Sequence, residues 1–141
     1  MTAIETAVYA THMVFAGLLT GSVLFAALTV PGIAANVSTS VRESLAGALR
    51  NVSRASAVLL LLTGGYMLTL GGYTDGGALT GTGRGHAVLG MVVLWVLLTG
   101  VTEVAGSRIE SGDDATSFLY GGAALAVALL ADAGWLVAAS L

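Results

Sequence analysis

Apolar positions fall in four long runs, separated by shorter polar or glycine-rich stretches. The first extends from about Thr6 to Val30 and stops at Pro31-Gly32, since proline lacks the N–H that would continue a helical ladder. After the polar stretch ANVSTSVRESLAGALRNVSRAS, a second run covers about Ala55 to Leu70. The helix carrying it can begin near Leu49, because Arg50 and Arg54 are spaced i,i+4 and share one face of its first turns. The loop GGYTDGGALTGTGRG leads into the third run, His86 to about Ala105, and GSRIESGDDATS leads into the fourth, Phe118 to Leu141. Each run approaches the roughly 20 residues that cross ~30 Å of hydrocarbon at ~1.5 Å per residue. The pattern predicts spans over 6–30, 50–71, 86–105 and 118–139, hence a single all-α domain, a polytopic membrane four-helix bundle.

Composition sharpens that picture. The chain is 56% hydrophobic and 9% charged, where a soluble domain carries roughly a quarter charged residues. The spans leave little chain for a soluble domain, and no basic patch serves a nucleic acid. A secretory signal is not expected, because the first run is too long for a signal core and no basic segment precedes it. Cysteine is absent, which excludes disulfides and thiolate metal sites. All five cations are arginine, against eight acids, a profile of a high-salt proteome such as that of a halophilic archaeon. Arg42, Arg50, Arg54 and Arg108 fall around the first and third loops, whereas only Arg84 borders the second. Cationic loops stay in the cytoplasm, so both termini are expected on the extracytoplasmic side of the cell membrane.

Glycine, at 20 residues, is well above its usual share and fits helices that approach through small side chains. Gly17 and Gly21, or Gly121 and Gly122, are candidate faces for a homodimer or a larger membrane complex.

The two histidines, His12 and His86, each sit near the start of an apolar run. Counted from outer boundaries near Thr6 and Arg84, they lie ~9 Å and ~3 Å deep, close enough in depth to share one layer. Asp132 falls in the same outer third, as do Met13, Met67 and Met91. Ionisable groups within a membrane are functional candidates by default. One reading makes His12 and His86 axial ligands of a single haem b, since haem iron accepts imidazole on both faces. The residues one turn beyond them, Ala16 and Gly90, are small enough to leave room for a macrocycle, and Arg84 could pair with a propionate. Each feature also has an ordinary explanation: an interfacial histidine bonding headgroups, glycines for helix packing, an interfacial arginine. A second chemistry joins the histidines to the three methionines as a soft Cu(I) site. Asp132 could take up a proton, bond the Nδ1 of a ligand histidine, or reach the outer surface. Glu103 reads as a solvated acid near a helix end.

The stretch HMVFAGLLTGSVLFAALTVPG resembles the membrane domain of copper resistance protein D-like (CopD-like) proteins, with histidine early in the first helix, glycine nine residues on, and an exit proline. The third span, GRGHAVLGMVVLWVLL, is similar to the corresponding helix of HemJ-type protoporphyrinogen oxidases, which opens with a histidine. The resemblance covers about residues 8–105 and implies a small helical membrane protein, with haem b as the HemJ-type cofactor. HemJ-type proteins carry a lysine shortly after that histidine, where this chain reads Ala87, Val88 and Leu89, and a tryptophan in the first helix, where it reads Leu19, Thr20 and Gly21. The resemblance therefore implies a haem-binding bundle more than the oxidase activity. The expectation is one-electron transfer with a quinol or an external redox protein. The alternatives are a copper-handling transporter and a non-catalytic accessory subunit.

Overall fold

Thr2 opens the first helix with a reciprocal cap: its hydroxyl accepts from the Glu5 N–H at 3.2 Å, and the Glu5 carboxylate accepts from the Thr2 N–H at 2.8 Å. In the computed structural model, which describes residues 1–139, this is α1 (Ala3–Ile33). It is followed by α2 (Thr39–Leu70), the one-turn α3 (Ala78–Gly81), α4 (Gly83–Ser111) and α5 (Thr116–Ala138). The last two residues of the fourth apolar run lie outside the described residues.

The helices outrun the apolar spans. α1 passes through Pro31, which costs one backbone donor without ending the turn; the Ala34 N–H still donates to Val30 O at 2.9 Å. α2 starts at Thr39, well before Leu49, because Ser38 caps it and the polar stretch turns Ala46 and Leu49 into the core. The glycine-rich loop contains α3, which the apolar pattern gives no sign of. Thr82 then caps α4, accepting from the Gly85 N–H at 2.9 Å. Gly85 is buried, and a Cβ there would collide with the carbonyls of Ala78 and Leu79.

α1 packs on α2 and α5, and α4 packs on the same two helices. Successive long helices alternate in direction, giving an up-down-up-down bundle with α1 and α4 at opposite corners. All four long helices are long and apolar enough to cross a membrane, and the chain is a multi-pass membrane protein. The interior is built from small residues: Ala26, Ala27, Ala46, Ala105 and Ala126 are buried with Leu19, Leu98 and Leu119. Large side chains face outward, with Phe25 66% and Leu28 83% exposed. Lipid tails are as apolar as leucine, so facing inward benefits mainly residues that let backbones approach. Gly122 marks such an approach, since a Cβ there would lie 3.0 Å from Val23 and 3.6 Å from Val101.

Polar groups inside the bundle are mostly self-satisfied. Thr20 donates to Ala16 O at 2.8 Å and Thr102 to Leu98 O at 2.7 Å, the back-bonding that lets threonine sit in an apolar helix. Ser53 and Ser56 are fully buried, and their hydroxyls have no partner among the described residues.

At the end carrying the α1–α2 and α4–α5 turns, Glu103 is not simply solvated. It accepts two bonds from Arg54, at 3.0 and 2.8 Å, while Arg50 pairs with Glu110 at 2.5 Å. α5 has no side-chain cap at Ala115; instead Asp114 accepts from the Thr116 N–H at 2.9 Å. Hydrogen bonding from Thr116 holds the Asp114 carboxyl below its usual 3.8, and the nearby Arg108 adds to the shift.

Candidate functional site

The layer nearest the chain termini is built around His12. Thr63 on α2 has a single hydroxyl proton, which goes to Leu59 O at 2.6 Å. Its 2.8 Å contact with His12 Nδ1 is therefore donated by the ring, Nδ1–H to the hydroxyl oxygen. This bond selects the Nδ1–H tautomer and leaves the Nε2 lone pair with no hydrogen bond among the described residues. Gly64 lies directly beside the ring, with its ideal Cβ position 3.4 Å from His12 Cε1.

The helix register places Asp132 in this layer. Gly122 meets Val23 on one side and Leu98 and Val101 on the other. His12 lies eleven residues before Val23 and Asp132 ten residues after Gly122, so both stand about 15 Å from that contact, toward the chain termini, at ~1.5 Å per residue. Asp132 faces α4, its Oδ2 3.6 Å from the ideal Cβ position of Gly90. That oxygen is buried and has no hydrogen-bond partner among the described residues, and the same holds for Trp95 Nε1, about 7.5 Å further along α4 than Gly90 at ~1.5 Å per residue. An unmatched buried acceptor thus stands at the level of His12, and an unmatched buried donor lies further along α4 toward the middle of the bundle.

His86 stands one turn above Gly90, at the head of α4, and is exposed. Its Nε2 lies 2.8 Å from Thr80 O; a carbonyl only accepts, so the ring is the Nε2–H tautomer and its lone pair is on Nδ1. His12 and His86 thus engage different partners, on helices at opposite corners. Arg84 is exposed beside His86, and Ala16 is half-buried one turn below His12.

The expected role of Asp132 as an Nδ1 partner is filled at His12 by Thr63. Of the methionines, Met67 and Met91 are half-buried, while Met13 is 69% exposed and turned away from the histidine beside it. Among the described residues no three His, Asp or Glu side chains converge. The layer offers one or two nitrogen donors. Gly17, Gly21 and Gly121 face open space on the bundle surface.

Thr63 and Trp95 are missing from the sequence-based site. LLLLTGG offers a sign of the first, a hydroxyl beside a glycine pair, but its meaning depends on α2 facing His12 at that height. Compared with protein-family models, with curated proteins and with solved structures, the chain matches none.

Proposed function

We propose that this membrane protein binds one haem b in the outer layer of its bundle and passes single electrons between it and a quinol or an external redox protein. The carrying observation is the His12 imidazole, fixed by Thr63 with its Nε2 lone pair free. A porphyrin supplies its own equatorial nitrogens and asks the protein for one or two axial donors, which matches the donor set of this layer. Gly64 beside the ring and Ala16 one turn along α1 keep its surroundings small.

When bound, haem supplies reversible one-electron chemistry. The protein's part is positional. Thr63 holds the His12 ring, and Trp95 Nε1–H is an unmatched donor for the cofactor's edge. His86, which now bonds Thr80 O, would be the second histidine to hold the group, and Arg84 would pair with a propionate at the water boundary. Asp132, with its unmatched oxygen, is the group placed to accept the proton released with an electron from a quinol. Were both histidines to hold the iron, electron transfer would be favoured over oxygen binding. The arginine distribution favours the extracytoplasmic side of the cell membrane for this layer.

The test is cofactor content. Protein expressed with an adequate haem supply and purified in detergent is expected to carry about one b-type haem per chain, or one per pair if two chains share it, by pyridine haemochrome assay. A colourless protein under those conditions overturns the proposal.

A further inference from the structure

At the opposite end of the bundle, the α1–α2 and α4–α5 turns enclose a cavity of about 290 Å³. Val30, Ala34, Ile109 and Leu119 form its apolar wall; Arg42, Asp113 and Asp114 form its polar one. Arg42 is distinctive among the arginines at this end. Arg50 and Arg54 are paired with glutamates, and Arg108 lies 4.8 Å over the Phe118 ring. Arg42 forms no ion pair among the described residues, although two aspartates line the same cavity. Its Nη2 donates to Thr39 Oγ1 at 3.2 Å, and its Nη1 packs against Gly112 in the α4–α5 turn. Its Nε–H is buried and has no acceptor.

An unmatched donor on a guanidinium that lines a cavity of this size calls for a ligand oxygen. The planar guanidinium suits phosphate in particular. Asp114 is already turned to the Thr116 N–H, so Asp113 is the acid left to meet a ligand. One arginine opposed by one free aspartate disfavours a dianion. It accepts a singly charged phosphodiester whose headgroup brings its own donor. The apolar wall and the position at the ends of four membrane helices give the source of such a group. We infer that this cavity seats the phosphodiester headgroup of a membrane lipid, with Arg42 on the phosphate oxygens and Asp113 on the headgroup's ammonium or hydroxyl. The inference is independent of the haem.

Native mass spectrometry of the full chain in detergent tests it, with short-chain phosphatidylethanolamine, diacylglycerol and inorganic phosphate as separate probes. One phosphatidylethanolamine is expected to be retained. Arg42→Gln should weaken it about tenfold, the scale of one lost charged hydrogen bond, and Arg42→Lys should weaken it less. Ala35→Phe, which fills the cavity from the α1–α2 turn and leaves Arg42 in the sequence, should also weaken it, and decides the matter if Arg42→Gln fails to fold. Equal retention by wild type and both Gln and Phe variants overturns the inference. So does equal retention of diacylglycerol, which would leave only apolar adhesion, or equally tight binding of inorganic phosphate, which would make the site one for free phosphate.

Discussion

Thr63 decides which nitrogen His12 offers. Thr63→Val keeps the shape but removes the acceptor, leaving Nδ1–H unmatched and the ring free to turn. Under the haem proposal, affinity in a haem titration of the apo-protein should fall roughly 10–100-fold, the range for loss of a ligand's supporting bond, with helix content unchanged; Thr63→Ser should restore it. Unchanged affinity in Thr63→Val would remove Thr63 from the site. The sequence makes His12, Gly90 and Asp132 visible, because depth can be counted from the ends of apolar runs. Thr63 stays hidden for a physical reason: a threonine in an apolar helix satisfies itself on the carbonyl one turn back, and Thr63 does so too. Its second bond exists only through the register of α1 on α2. Trp95 and the exposure of His86 are hidden in the same way, since rotation about a helix axis is weakly encoded where every face is apolar.

Among the elements, the four apolar runs make the helices legible from sequence, while their ends are not. Capping by Ser38 and tolerance of Pro31 extend α2 and α1 past the hydrophobic boundary, and no hydropathy pattern records that. The Arg54–Glu103 pair illustrates the same limit: the shared face of Arg50 and Arg54 is readable, their partners on α4 are not. Glu103→Gln leaves Arg54 without its carboxylate, and Arg54→Gln/Glu103→Gln should recover part of the loss. With the Arg54 side chain 63% exposed, the recovery should be small, read by denaturant unfolding in detergent. Strictly additive losses would show that the pair contributes nothing.

Asp114 gives this end of the bundle a pH dependence. Its folded pKa is lowered, so its contribution is present above the unfolded value near 3.8 and is lost as pH falls through the folded value. Melting curves should therefore show wild type above Asp114→Asn at pH 6, with the gap closing below about pH 4. A gap unchanged at pH 3 would show that the carboxylate does not cap α5 through its charge.

At the scale of the whole molecule, the two ends do different work. The end with the turns is tied by arginine pairs and lines the Arg42 cavity, while the end with the termini holds the His12–Thr63 bond and the unmatched Asp132 oxygen. Burying an unpaired acceptor such as Asp132 Oδ2 in a membrane bundle is costly, and its lying at the level of a tautomer-fixed imidazole is the clearest mark of function in the fold. The most direct measurement is the dithionite-reduced minus oxidised visible spectrum of the purified protein, alongside His12→Ala and His86→Ala. The proposal predicts sharp low-spin α and Soret bands in wild type, their loss in His12→Ala, and a shift to a high-spin spectrum in His86→Ala. Wild-type bands that persist unchanged in His12→Ala would contradict it, as would a wild type with no haem spectrum at all.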